Sequence, residues 1–281
     1  MTDFGPLIST DDLAANRDRF KIIDGSWRMP GNGDAIEHYH QEHIPGAVFF
    51  DIDKIAYQET SLTHMLPPPG QFAEQVGALG LSETDHIVVY DEAGMFSAAR
   101  VWWSLRAMGH KNVAVLDGGL PKWKRENNPV TDDVTIVSPA EYKPSATPSR
   151  YAFAHDVRDA LAAKMSVVDA RPADRFAARA PEPRPGLRSG HMPGAVNLPS
   201  SSVVDGASGQ MKSPAELRDL FLDLGVDPSA RVITSCGSGV AAAILSLALE
   251  IIGANNHAVY DGSWAEWGDE KNDEQLFPVV D

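Results

Sequence analysis

The sequence predicts an α/β protein made of two tandem domains, each a mostly parallel sheet flanked by helices on both faces. Three observations predict it. Short, near-continuous apolar runs alternate with helical segments, the pattern of strands buried on both faces. Four motifs recur in the same order at an offset of about 145 residues, so one domain is written twice. The 281 residues, 43% of them hydrophobic, suffice for two ordinary cores.

In the first half, strands are predicted at Lys21–Asp24, Ala47–Phe50, Ile87–Asp91 and Val113–Leu116, and helices at Gln71–Leu79 and Ser97–Met108. In the second half, strands are predicted at Val167–Asp169, Ala195–Asn197, Val232–Ser235 and Ala258–Tyr260, and helices at Pro214–Leu224 and Ala241–Ile252. The repeat aligns them. His43-Ile-Pro-Gly-Ala-Val48 returns as His191-Met-Pro-Gly-Ala-Val196, and Ile23-Asp24 as Val168-Asp169. Val88–Asp91 returns as Ile233–Cys236, and Leu116–Trp123 as Tyr260–Trp267. Between the copies, residues 138–150 carry three prolines among small polar residues and read as a linker. The expected division is therefore a first domain at 1–137, the linker at 138–150 and a second domain at 151–281.

The formal net charge of -15 opposes nucleic acid and anionic membranes as partners. The first twenty residues lack a basic stretch followed by an apolar one, so no signal peptide is expected. The longest apolar run, Val240–Leu249, is interrupted by Ser246 and is too short to span a bilayer. A single cysteine permits no intramolecular disulfide, which suits a reducing cytoplasm. No nucleotide-binding glycine fingerprint is present and no cofactor is expected. His38, His40 and His43 lack an acidic or thiol partner at ligand spacing, so no metal site is expected.

That cysteine, Cys236, opens the loop Cys-Gly-Ser-Gly-Val between a predicted strand and a predicted helix. Sites in parallel α/β sheets form at the carboxyl ends of strands. A thiol there faces loop amides and a helix N-terminus, which stabilise a thiolate. A lone cysteine is commonly an inert core residue. Here the two following glycines favour an open loop over a packed one. The matching position of the first half is Asp91, so only the second half can carry thiol chemistry.

The doubled His-x-Pro-Gly-Ala motif, the Asp-Gly-Gly and Asp-Gly-Ser-Trp segments and a cysteine loop in the second half alone resemble the two-domain rhodanese-type sulfurtransferases. The resemblance runs from about Phe20 to Trp267, and Cys236–Val240 is similar to the branch that uses 3-mercaptopyruvate. The branch that uses thiosulfate has Arg and Lys where this chain has Gly237 and Ser238. One departure is Ala241, where the family usually has Thr.

The resemblance implies sulfur transfer through a persulfide on Cys236, with pyruvate released and a thiol or cyanide as acceptor. It places Ser238, His43 and Asp34 in a proton relay. It places Arg175 and Arg184 on the carboxylate and keto oxygen of the donor. The residues support the electrostatics independently. Arg171, Arg175, Arg179, Arg184 and Arg188 stand together, opposed only by Asp174 and Glu182. Arginine forks suit carboxylates, although a solvated surface is the ordinary fate of such a cluster. The amides of Gly237, Gly239 and Val240 would complete an anion nest. His191 matches His43 in the repeat, so a structural turn is the competing role for His43. Trp264 and Trp267 are either walls of the site or core aromatics.

Three other functions compete. A thiosulfate sulfurtransferase would want cations in the loop. A cysteine phosphatase needs Arg six residues after its cysteine, where this chain has Ala242. A persulfide carrier would hand sulfur to a partner. The expected partners are a small anionic sulfur donor and an acceptor thiol, including a thioredoxin-like protein, with neither nucleic acid nor membrane.

Overall fold

The computed structural model describes residues 5–281. In chain order the first copy forms β1 (Leu7–Ile8), α1 (Thr10–Asn16), β2 (Lys21–Asp24), α2 (Ala35–Gln41), β3 (Ala47–Phe49), α3 (Pro69–Ala78), β4 (Ile87–Tyr90), α4 (Ala98–Ala107), β5 (Val113–Leu116) and α5 (Gly119–Arg125). The second forms β6 (Tyr151–Ala152), α6 (Ala154–Ala162), β7 (Ser166–Asp169), α7 (Ala173–Phe176), β8 (Val196–Asn197), α8 (Pro214–Asp223), β9 (Val232–Ser235), α9 (Val240–Ile251), β10 (His257–Tyr260) and α10 (Ser263–Trp267).

Each copy builds a five-stranded sheet, ordered β1-β5-β4-β2-β3 in one and β6-β10-β9-β7-β8 in the other. All pairings are parallel, with Ile22 opposite Val88 and Val167 opposite Ile233 at equivalent places. The predicted strands and helices are present, with ends shifted by one or two residues. Phe50, for example, leaves the ladder after β3 and donates its N–H to Asp24 O at 2.8 Å. The edge strands β1 and β6 have two residues each, too few to show a period.

The central strands are mostly apolar because both faces are covered; every residue of β4, β5, β9 and β10 is buried, including the polar Thr234, Ser235 and His257. Trp102, Trp103 and Trp123 fill the first core; Trp264 and Trp267 fill the second. Helix α8 starts where Ser213 and Glu216 form a reciprocal capping box with Pro214 in the first turn. Helix α9 contains the longest apolar run of the sequence and has nine buried residues.

Two compact units emerge. Unit 1 gathers the chain up to Glu59, Leu66–Thr147 and Val204–Met211. Unit 2 gathers Thr60–Met65, Pro148–Val203 and Lys212–Asp281. The two short segments sit at matching places of the repeat, and each joins the unit of the other copy. In unit 1 the Val204–Met211 arm closes on itself by a Val204–Met211 bridge. Asp117 anchors it, accepting from Met211 N at 2.8 Å and Gln210 Nε2 at 2.7 Å.

The proline-rich stretch after residue 138 lies along unit 1. Ala140 N donates to Gly77 O at 2.9 Å and Ser145 N to Met108 O at 2.8 Å. Tyr142 is buried beside His110. The approach is so close that a Cβ on Gly109 would lie 2.2 Å from Ser145 O. Among the described residues no helix is long and apolar enough to cross a membrane.

Candidate active site

Cys236 directly follows β9, at the carboxyl end of a strand flanked by β7 and β10. Its loop is fastened from outside. Cys236 N donates to Ser263 Oγ at 3.2 Å, and Ser263 Oγ donates to Tyr260 O at 2.8 Å. Trp264 N and Ala265 N donate to the carbonyls of Cys236 and Gly237, each at 2.9 Å. The outward carbonyls are therefore taken by α10. Among the described residues, the amides of Gly237, Ser238, Gly239, Val240 and Ala241 bond to no protein acceptor. Gly239 has φ +80° and turns the chain into α9. The thiol at the centre is buried, with Cys236 at 3% exposure and Ser238 at 5%.

Unit 1 shows what such a loop holds. Asp91 takes the place of Cys236, and Gly94, with φ +111°, takes the place of Gly239. The Asp91 carboxylate fills the cradle. Oδ1 accepts from Ala93 N and Gly94 N at 2.9 and 2.7 Å. Oδ2 accepts from the amides of Phe96, Ser97 and Ala98, each at 2.8 Å. Burial pushes this carboxyl above its usual range while the donated amides pull it back. Five donors on two oxygens define an anion nest. The twin loop around Cys236 has a left-handed glycine at the same place, but α9 starts directly after Gly239 whereas α4 starts four residues after Gly94, and a thiol stands in place of the carboxylate.

Gly237 and Gly239 do not share one role. Gly237 does not take the left-handed backbone. A Cβ there would meet only Arg184 Nη1, at 3.8 Å. Its missing side chain matters as room beside that guanidinium.

The arginine cluster separates by partner. Arg171 is fully buried, binds Asp169, Glu182 and Gly190 O, and stacks 4.0 Å from the Trp264 ring centroid. Arg188 donates to the carbonyls of Trp267 and Phe277. Arg179 pairs with Asp174 on the surface. These three are committed to the unit itself. Arg184 Nη2 reaches Ser238 Oγ at 3.3 Å, and Arg175, 27% exposed, stands 3.8 Å from the buried Glu182. Within the cluster, Arg175 and Arg184 are the two held by the longest contacts. Trp264 and Trp267 are wholly buried core residues, which decides between the two roles open to them.

The expected Asp34–His43 pairing is not formed. Asp34 is exposed before α2 and His43 is buried after it, so the whole helix separates them. His43 Nδ1 lies 2.6 Å from Tyr39 O and its ring stacks on Tyr39 at 4.1 Å. His191 repeats this arrangement, with Nδ1 3.0 Å from Phe176 O and the ring 3.9 Å from Phe176. The two histidines are thus held alike in two units, only one of which carries a thiol.

The histidine that sequence reading passed over is His64. It lies in Thr60–Met65, the segment that joins unit 2. It is buried, at 5% exposure, and has φ +65°. The neighbouring Ser61, Leu62 and Thr63 line a cavity shared with Arg184. Its partner in the repeat is Gly209, which takes the same left-handed backbone at φ +74°. A histidine kept where the other copy uses glycine carries a conformational cost, and such costs concentrate at functional sites.

A doubled parallel α/β fold with one buried thiol at the carboxyl end of a central strand, followed by loop amides without a protein acceptor among the described residues, defines a protein suited to cysteine-centred chemistry. The Rhodanese-like domain model matches residues 9–126 and again 153–270. The chain belongs to the rhodanese family. It is 42% identical over 251 residues to mouse 3-mercaptopyruvate sulfurtransferase, covering 88% of this chain and 84% of that protein. It is 40% identical to rat thiosulfate sulfurtransferase over the same shares. The crystal structure of SseA from Escherichia coli, a 3-mercaptopyruvate sulfurtransferase described as having the rhodanese fold, superposes with a TM-score of 0.84 at 37% identity, covering 93% of this chain and 99% of that one.

Proposed function

We propose that the chain is a sulfurtransferase that moves sulfur from 3-mercaptopyruvate to a thiol or cyanide through a Cys236 persulfide. The observation that carries this is the pair of cradles, one filled by the Asp91 carboxylate and the other centred on Cys236. In the first step the Cys236 thiolate attacks the donor sulfur. The carbon–sulfur bond breaks and its electron pair leaves as the enolate of pyruvate. The proton from the donor thiol ends on that carbon, leaving pyruvate and an anionic persulfide. In the second step an acceptor thiol takes the outer sulfur and Cys236 returns to thiolate. The amides of the loop stabilise both sulfur anions.

Arg184 and Arg175 would hold the donor carboxylate and the oxygen on which enolate charge develops. His64 is the candidate proton carrier; His43 is assigned to the turn it shares with His191. Loop chemistry favours mercaptopyruvate over thiosulfate, because Gly237 and Ser238 bring no positive charge and the nearest cation is Arg184. The near-equal identity to a thiosulfate sulfurtransferase keeps that donor as the second reading. The cytoplasm is the proposed compartment and a thioredoxin-like protein a proposed physiological acceptor, both resting on the single reduced cysteine.

The test is steady-state transfer to cyanide with each donor, beside a Cys236→Ser control. A preference for mercaptopyruvate that vanishes in the variant is expected. A preference for thiosulfate would overturn the assignment of donor.

A further inference from the structure

We propose that unit 2 holds a subsite for the acceptor, shaped for a zwitterionic aminothiol of the cysteine class. The subsite is the cavity of about 270 Å³ bounded by Arg184, Leu62, Ala265, Asp269, Glu270 and Lys271. It rests on the persulfide reading above.

The cavity adjoins the thiol loop through two of its walls. Arg184 touches Ser238 Oγ at 3.3 Å, and Ala265 N bonds the carbonyl of Gly237 at 2.9 Å. It is thus one residue away from Cys236. Its charged wall is a built turn. Glu270 N donates to Gly186 O at 3.0 Å, Leu187 and Asp269 pair as an antiparallel bridge, and Lys271 N donates to Asp269 Oδ1 at 2.9 Å. This turn presents both signs of charge side by side. Among the described residues, the exposed side chains of Glu270 and Lys271 form no ion pair within the protein.

A keto-acid donor carries a carboxylate and no cation, so it needs arginines alone, and Arg175 and Arg184 supply them. A wall with Lys271 beside Asp269 and Glu270 is complementary to a ligand with both charges. A cysteine-class thiol has them, with its sulfur two bonds from the carbon that bears both. Its carboxylate meets Lys271 and its ammonium meets Glu270 and Asp269. The thiol then attacks the outer sulfur of the persulfide. A new sulfur–sulfur bond forms, the bond to Cys236 breaks, and the electron pair returns to Cys236. The thiol proton leaves with the product.

The experiment compares KM for four acceptors: cysteine, 3-mercaptopropionate without the ammonium, cysteamine without the carboxylate, and cyanide. Ratios of variant to native enzyme cancel the intrinsic reactivity of each thiol. Lys271→Ala should raise KM about fivefold for cysteine and 3-mercaptopropionate, and leave cysteamine and cyanide unchanged. Glu270→Gln should raise it for cysteine and cysteamine alone. Equal changes for every acceptor, or none, would overturn the subsite. A single-turnover burst of pyruvate without acceptor is measured in parallel. Its absence in the native enzyme would sink the persulfide reading instead; its presence with a flat acceptor pattern would sink only the subsite.

Discussion

The loops after β4 and β9 both turn through a left-handed glycine three residues past the strand-end residue, and they are put to two uses. After β4 the cradle is closed by its own carboxylate, with five amides on Asp91. After β9 the corresponding residue is a thiol, and the amides around it have no internal acceptor among the described residues. The first loop spends its anion affinity on stability. The second keeps it for a sulfur anion that exists only during turnover. The side chain at the end of the strand therefore decides which of the two loops can carry thiol chemistry.

The sharpest way to break the comparison is Cys236→Asp. It should make the second loop a copy of the first, preserve the melting temperature within a few degrees, and lower sulfur transfer by roughly 10³-fold or more. A variant that unfolds would show that the two cradles are not equivalent. Next in size is Asp91→Ala, which strands five amides, three of them buried. Denaturant titration should show a loss of about 3–5 kcal/mol in the first unit. Retained stability would mean that the carboxylate is not what closes the loop.

His64→Gln follows. It should lower kcat about 10²-fold or more, and a pH–rate profile should lose one limb. The change that would count against a proton-carrying role is a stability loss with kcat intact.

The smallest effect concerns Asp24 and its counterpart Asp169. Both accept the amide two residues on, Ser26 N and Arg171 N, each at 2.9 Å. Only Asp169 has an arginine side chain against it. Asp24 is left to burial, which raises its carboxyl to about 6. The folded state thus holds a proton that the unfolded chain releases from about pH 4 upward. Its stabilising share is complete below pH 4 and is lost as pH rises through about 6. Asp24→Asn should abolish this slope, so its stability relative to the native protein should rise by up to about 3 kcal/mol between pH 4 and 6.5. Parallel melting curves at the two pH values would remove the proton from Asp24.

The doubling, the parallel strands and the thiol loop were legible because each is a local signal: a period, a turn motif, a residue at a strand end. The edge strands were not, since two residues carry no period. His43 drew attention because it sits in a repeated motif, yet the repeat is also the reason to doubt it, as His191 does the same thing beside Phe176. His64 carries no motif. Its signal is an asymmetry, a histidine facing a glycine at the same offset, which becomes readable once both are seen in the left-handed region. The arginines were legible as a cluster and illegible as individuals, because only packing shows that Arg171, Arg179 and Arg188 are already spoken for.

The arm anchored by Asp117 bears on the order in which the protein can be made. Chains emerge from the ribosome N-terminus first, and domains generally fold as they appear. The first unit of this chain includes Val204–Met211, which come after Pro148–Val203 of the second copy. It is not finished when its half has been synthesised. Asp117 waits with two acceptor oxygens for Gln210 and Met211, and the first domain is completed only when the ribosome is well into the second.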